Sequence, residues 1–238
     1  MGSIATKASR NAENESEKED MAESLGGSGP GAGTGDRYHP GMGQTWVTPV
    51  TLTGRRIRME PLDERHLDDL ARVAIDDVVF RWITNRPMDD AALRTWFEQT
   101  RASAEATLEV PFATIDLASG QAIGSSRYMT IAPEHRRLEI GWTWLGRAFQ
   151  RTGANREAKL LQLTHAFETL GAQRVEFKTH ARNVASRTAL LGIGATFEGV
   201  LRHHTIMPDG SNRDSAFYGV IAPEWPAVKA RLEGLVAR

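Results

Sequence analysis

From residue 46 onward, apolar and polar side chains recur with a period that changes from segment to segment. Val50-Thr51-Leu52 and Ile57-Arg58-Met59 read as two strand pieces parted by a turn at Thr53-Gly54. Pro61-Leu62-Asp63-Glu64 has the form of a helix start, and Leu67, Leu70, Val73 and Ala74 follow it as an apolar stripe. A second helix is predicted over residues 89–104, with Leu93, Trp96 and Phe97 inward and Arg81-Trp82-Ile83-Thr84 in the connection before it. Strands are predicted over residues 112–116, 122–131 and 139–145. The turns between them, at Ala118-Ser119-Gly120 and at Pro133 to Arg137, are short, so these strands are read as antiparallel. Leu160, Leu163, Phe167 and Leu170 then fall on one helical stripe that stops at Gly171. A strand over residues 174–179 follows, and a strand–helix–strand crossover is normally parallel and right-handed. A short helix over residues 183–191, a strand over 198–206, a turn at Met207-Pro208-Asp209-Gly210, a strand over 213–221 and a closing helix through residue 235 complete the pattern. Periodicity alone gives a mixed α/β domain.

Residues 1–43 stand apart. They carry NAENESEKED and GGSGPGAGTG, almost no large apolar side chains and a net charge of −3, which leaves +2 for the remainder. Such a stretch cannot bury enough surface to offset its ordering entropy, and it lacks the apolar core of a signal peptide. We therefore expect a disordered acidic, Gly-rich tail over residues 1–43 and one folded domain over 44–238. The overall charge of −1 gives no electrostatic reason to expect nucleic-acid binding, and no apolar run is long enough to span a bilayer. The chain has no cysteine, which excludes disulfides, thiolate metal sites and a cysteine nucleophile. These features fit a cytoplasmic protein, monomeric or homodimeric, without nucleic-acid or membrane partners.

The most informative stretch is Gln150-Arg151-Thr152-Gly153-Ala154-Asn155, between the strand at 139–145 and the long helix. A strand that turns through a glycine into a helix aims unpaired backbone N–H groups at one point. The helix dipole adds partial positive charge there, a combination suited to phosphate or pyrophosphate. Ala154 adds little bulk beside Gly153, and Asn155 is of the type that caps helices. An ordinary strand–helix turn has the same outline, so the loop alone leaves both readings open. Trp142 and Trp144 share a strand face with Ile140 by alternation and read as core, whereas Glu139, Gly141 and Thr143 share the other face. His203 and His204 are adjacent on a strand, face opposite ways and cannot jointly bind one metal ion. His165 and Tyr218 read as structural.

These residues carry a resemblance. Gln150, Gly153 and Asn155 fall on the marked positions of (Q/R)xxGx(G/A), the pyrophosphate loop of the GCN5-related N-acetyltransferases, and Glu157-Ala158 resembles the pair that often follows it in the RimJ/RimL branch. Asn183 and Ser186, followed by Gly194-Ala195 and by Phe197-Glu198-Gly199-Val200-Leu201-Arg202, resemble that branch's second motif, NxxS…EGxxR. The resemblance implies a mixed, mostly antiparallel central sheet flanked by helices, with two neighbouring parallel strands, 139–145 and 174–179, splayed apart. It implies acetyl-CoA as co-substrate and no metal. The pantetheine arm would lie in the gap against the backbone at Trp144 and Leu145, and the pyrophosphate on Gln150, Arg151, Thr152, Gly153, Ala154 and Asn155. Asn183 would orient the pantetheine amides, and Ser186 would meet the thioester end and donate to the leaving thiolate. Glu139 would accept the amine proton or bind the ammonium group. The plain structural alternatives are a helix N-cap for Asn183, a first-turn hydroxyl for Ser186 and a paired or surface carboxylate for Glu139. The implied activity is N-acetylation of a primary amine, on a protein N-terminus or a small molecule, by direct transfer in a ternary complex, because no cysteine is present to carry an acetyl group. A non-catalytic CoA-binding or sensor module of the same fold is the alternative.

Overall fold

The structure, a computed structural model, describes residues 45–74, 77–84, 87 and 89–238, with Asp77 and Val78 described by their backbone alone. The expected tail over residues 1–43 lies outside the described residues. Among the described residues, eight strands form one sheet: β1 (Leu52–Thr53), β2 (Ile57–Pro61), β3 (Val110–Asp116), β4 (Ala122–Ala132), β5 (Arg137–Leu145), β6 (Arg174–His180), β7 (Thr196–Ile206) and β8 (Asn212–Ile221). Their spatial order is β1-β2-β3-β4-β5-β6-β8-β7. Every neighbouring pair is antiparallel except β5 and β6, as the crossover through the long helix requires. The mixed, mostly antiparallel sheet is the one expected.

Two layers of helices cover the sheet. Helices α1 (Leu67–Ala74), α2 (Asp77–Phe80) and α3 (Asp90–Glu105) lie between β2 and β3 in sequence. Leu67, Leu70, Phe80, Leu93, Trp96 and Phe97 from them pack with Ala113, Ile115 and Trp144 as one apolar cluster. Helices α4 (Ala154–Thr164), α5 (Val184–Ile193) and α6 (Trp225–Val236) supply Leu163, Leu190 and Leu232 to the second and larger cluster, with Phe112, Tyr128, Ile140 and Val175 from the strands. Phe112 and Ala113, adjacent on β3, enter different clusters, as strand alternation demands. The helix starts follow the sequence signals. Asp63 and His66 form a reciprocal cap before α1, and Asp89 accepts from the Ala92 N–H at 2.8 Å to cap α3.

The alternation expected along β5 fails at one point. Trp142 has φ +48°, and the β4–β5 register slips so that Trp142 and Thr143 together face Ser126. This bulge switches the faces. Ile140 and Leu145 belong to the α4-side cluster, whereas Trp144 belongs to the α1–α3 cluster with Trp142 packed beside it. Thr143, expected on the Glu139 face, instead meets Lys159 of α4. Trp142 and Trp144 therefore do not share a face with Ile140. A second correction concerns Asn155: Gly153 is the N-cap of α4, and Asn155 lies inside the first turn.

Helix α4 is tied to the sheet edge by Glu157. Its buried carboxylate accepts from the backbone N–H groups of Arg55 (2.6 Å), Arg56 (2.9 Å) and Ile57 (3.1 Å) in the β1–β2 turn. Gly54 permits this approach, since a Cβ there would lie 2.6 Å from the Glu157 carboxyl carbon. Glu157→Ala leaves three turn donors without an acceptor and should cost about 2–4 kcal/mol in urea unfolding. Glu157→Gln, with a single acceptor oxygen, should lose less; unchanged stability in the Ala variant would show that the turn holds itself.

Candidate active site

Strands β5 and β6 pair over only three residue couples, Arg137 with Arg174, Leu138 with Val175 and Glu139 with Glu176. Beyond Glu139 they diverge, and a cavity of about 420 Å³ opens between them. The backbone of β5 from Ile140 to Leu145 keeps β4 on one side and faces this cleft on the other. Peptide groups on that edge are left for a ligand, because the strand that would satisfy them has moved away.

The structure brings most of the candidate residues together here. Glu139, Trp144, Leu145, Gln150, Arg151, Asn155, Asn183 and Ser186 all line the cleft. Thr152 and Ala154 instead line a second concavity beside Arg55 and Arg56, and Gly153 lines neither. Gln150 closes the strand end, its Nε2 donating to the Leu145 carbonyl at 3.1 Å. Arg151 (φ +63°) and Gly153 (φ +95°) are both left-handed, which turns the chain sharply into α4. Among the described residues, no side chain caps that helix in the usual way; Thr152 Oγ1 reaches the Ala154 N–H only at 3.4 Å. Asn155 Oδ1 is buried and unpartnered among the described residues. The first turn of α4 thus presents unpaired donors at a positive dipole end, the arrangement that receives phosphate oxygens.

On the opposite wall, Asn183 caps α5 by accepting from the Ser186 N–H at 3.1 Å. Its structural role is therefore real, and its amide nitrogen and the Ser186 hydroxyl are left to the cleft that both residues line. Tyr218 is buried, with its hydroxyl accepting from Arg187 Nε at 2.9 Å. His165 stacks on Tyr128 outside the cleft. Both fit the structural reading made for them.

Glu139 stands at the apex, where the two strands part. It is 4% exposed, with Oε2 3.3 Å from Thr130 Oγ1 and 3.4 Å from Lys178 Nζ. The missing side chain at Gly141 makes room for Met129 and for Glu139, since a Cβ there would lie 2.5 Å from Met129 Sδ and 3.1 Å from Glu139 Oε1. Burial pushes its pKa up, the Lys178 ammonium opposes that, and burial prevails.

Several cleft residues escape a reading of the sequence. Lys159, 4% exposed on α4, donates to Thr143 Oγ1 at 2.8 Å and to Gln162 Oε1 at 3.3 Å, with no carboxylate partner among the described residues. Burial pulls its ammonium down to about 7. Lys178, Thr205 and Arg213 also face the cleft from β6, β7 and β8. A lysine on an amphipathic helix ordinarily reads as a solvated face, and only the bulge at Trp142 turns Thr143 toward it. Among the described residues, no group of three or more His, Asp or Glu could hold a metal ion, and no helix is long and apolar enough to cross a membrane.

Comparison with known proteins agrees with this geometry. A family model described as an acetyltransferase (GNAT) domain matches residues 56–196. A GCN5-related N-acetyltransferase from Brucella melitensis superposes with a TM-score of 0.74 at 32% identity, over 80% of this chain and 87% of that one. A T. thermophilus protein assigned as an acetyltransferase gives 0.73 at 40% identity, over 79% and 98%. Mycobacterium smegmatis RimJ in complex with CoA-disulfide, at 21% identity, shares the fold with a TM-score of 0.68 over 78% and 94%. Among curated sequences, the Uncharacterized N-acetyltransferase YoaA of Bacillus subtilis (strain 168) is 30% identical over 103 residues, 43% of this chain; the match spans 57% of that relative's length. The chain belongs to the GCN5-related N-acetyltransferase (GNAT) family.

The buried lysine has a measurable signature. From pH 7 to 10.5 the unfolded chain holds a proton at Lys159 that the folded chain has released, so stability should rise with pH across this window. Below 7 both forms are charged and this contribution to the slope vanishes. Lys159→Met should flatten the rise in urea midpoints measured across that window. A slope equal to that of the parent would mean that the folded protein keeps the ammonium charged.

Proposed function

We propose that this chain is an acetyl-CoA-dependent N-acetyltransferase of the RimJ/RimL-like branch, acting on a primary amine by direct transfer in a ternary complex. The observation that carries the reading is the cleft itself: an unpaired β5 edge that ends at an uncapped helix N-terminus and begins at a buried carboxylate. The residues fit the co-substrate. The first-turn N–H groups of α4 and the Arg151 guanidinium suit the pyrophosphate, and the open edge of β5 through Trp144 and Leu145 suits the amides of a pantetheine arm. Residues 44–238 form the catalytic domain in this reading, and a cytoplasmic location suits a co-substrate made inside cells.

The chemistry needs a neutral amine beside a thioester carbonyl. The amine lone pair forms the C–N bond, the C–S bond breaks, the amine gives up a proton and the departing thiolate takes one. Glu139 receives the amine proton, directly or through water; its raised pKa makes it a better base than an exposed carboxylate. In this reading Ser186 donates to the sulfur, and Asn183 holds the amides beside it. With the carboxylate at the apex and the phosphate end at Gly153, the length of β5 aligns the two substrates and sets their separation.

Two experiments test this reading. Gly153→Val puts a β-branched residue at φ +95°, which should displace the loop and weaken acetyl-CoA binding by about tenfold or more in calorimetry. A folded variant of parental affinity would remove this loop from the site. Glu139→Gln keeps size and hydrogen bonding but removes the base, and kcat at neutral pH should fall by roughly 10²–10⁴ with acetyl-CoA affinity retained. Acceptors of low basicity should recover part of the loss, and the parental enzyme should lose activity on acidification at a pH above the ordinary carboxylate range. Full activity of Glu139→Gln on the most basic acceptor would leave water as the proton acceptor.

A further inference from the structure

The cleft holds more positive charge than a thioester and a simple amine require. Among the described residues, Lys159, Lys178, Arg151 and Arg213 face it against one carboxylate, Glu139. Arg151 lies at the α4 end, on the loop assigned to the pyrophosphate, and Lys178 is shared with Glu139. Burial draws Lys159 toward neutrality, and Arg213 is the cation left over. It is 8% exposed, its guanidinium donates to the Trp82 carbonyl at 3.3 Å, and its Nε is buried with no partner among the described residues. Among the described residues no carboxylate lies within ion-pairing distance of it. Burial pulls its pKa down, and the charge of Glu139 opposes that without cancelling it.

A second orphan lies beside the first. Thr205 is the direct cross-strand partner of Arg213, and its Oγ1 is likewise buried and unpartnered among the described residues. Paired residues on neighbouring strands project from the same face, and both of these line the cleft. The β7–β8 register slips between Leu201 and Thr205, where His203 takes φ +50°; this bulge sets which way Thr205 points. A buried guanidinium N–H and a buried hydroxyl, side by side and unused, are costly unless something arrives to satisfy them.

Resting on the acetyltransferase reading above, we propose that Arg213 and Thr205 bind a carboxylate carried by the acceptor, so that the acceptor is a small amino-acid-like zwitterion whose amine faces Glu139. A guanidinium edge and a hydroxyl match the two oxygens of a carboxylate. A polyamine brings further cations against Lys178 and Arg213 and is repelled. The N-terminus of a protein offers a neutral peptide carbonyl at the corresponding distance, which satisfies the hydroxyl but leaves the charge of Arg213 unpaired. A side-chain carboxylate on an N-terminal Asp is the other source of the same chemistry.

The test uses the full chain with acetyl-CoA and mass detection of acetylated products. Acceptors are matched triplets: alanine, alaninamide and ethylamine; phenylalanine, phenylalaninamide and 2-phenylethylamine. A C-terminally amidated peptide beginning with Asp is added. Carboxylated acceptors should exceed their amides in kcat/KM by about tenfold or more, the scale of a charge-assisted pair. The amide has the less basic amine and is more often neutral, so such a preference cannot arise from amine basicity. Arg213→Lys should cut the acid-to-amide ratio by about tenfold through KM, and Thr205→Val should cut it less. Because Arg213 is buried, the Thr205 variant keeps the test decisive if the Arg213 variant does not fold. Turnover confined to the Asp peptide would keep the carboxylate site and assign its source to a protein N-terminus. Equal turnover of acids, amides and alkylamines overturns the proposal while leaving the acetyltransferase reading intact, and so does acetyl-CoA binding without acetylation of any carboxylated acceptor. Absence of acetyl-CoA binding in calorimetry overturns both.

Discussion

The three-couple contact between β5 and β6 is the constraint on which the molecule turns. A parallel pair that ran its full length would satisfy its own peptide groups and leave no cleft. A pair that never met would leave two half-sheets with no reason to stay together. Contact at Arg137–Glu139 holds the halves, and divergence after it exposes the edge of β5. Each half has its own means of staying rigid around the gap. On one side β5 is paired to β4 along its length; on the other β6 is clamped by β8 over seven couples from Arg174 to His180. The opening is therefore a fixed feature of two stiff walls rather than a frayed strand end.

The same constraint governs the charges. Glu139 is buried where the walls meet, and a carboxylate can stay there only because Thr130 and Lys178 offset its desolvation. Lys159, deeper along α4, has hydroxyl and amide partners instead of a carboxylate and loses much of its preference for the charged form. Two titratable groups in one cleft are thus pushed toward neutrality, one from each direction. A pocket for an uncharged nucleophilic amine benefits from walls whose own charges are restrained.

Much of this is legible in the chain. The sequence of elements along the chain, the helix between β5 and β6 and the glycine loop follow from periodicity, turn residues and the resemblance carried by Gln150, Gly153, Asn183 and Ser186. Glu139 can be singled out because strand alternation is reliable up to Gly141. It fails one residue later, because a left-handed Trp142 has no sequence signal: the residue type argues against it, and only tertiary packing of Trp142 and Trp144 onto the α1–α3 cluster sustains it. Simple alternation puts everything downstream of that bulge on the wrong face, including Thr143, and so hides the buried role of Lys159. Arg213 is invisible for a similar reason. It reads as the polar start of a hairpin strand, and its burial depends on Trp82, a residue more than a hundred positions away. Glu157 stands out as part of a motif, but its hold on the β1–β2 turn is a long-range contact that no local pattern encodes.

At its far end, α4 does not stop at Thr164 but widens into a π turn over His165–Thr169, where the Tyr128 hydroxyl donates to the Gln162 carbonyl at 2.7 Å. A π turn accommodates one residue more than an α turn would, and so rotates everything after it about the helix axis. Upstream, Asn155, Lys159 and Gln162 keep the phase of the cleft. Downstream, Phe167 stacks on Trp225 at 5.3 Å, and Glu168 accepts from Trp225 Nε1 and from Lys229 Nζ. One helix therefore addresses two surfaces that a regular α-helix of the same residues would bring out of phase. The turn acts as a phase shifter: substitutions can remodel the α6 contact or the cleft face separately, whereas gaining or losing a single residue there alters both faces together.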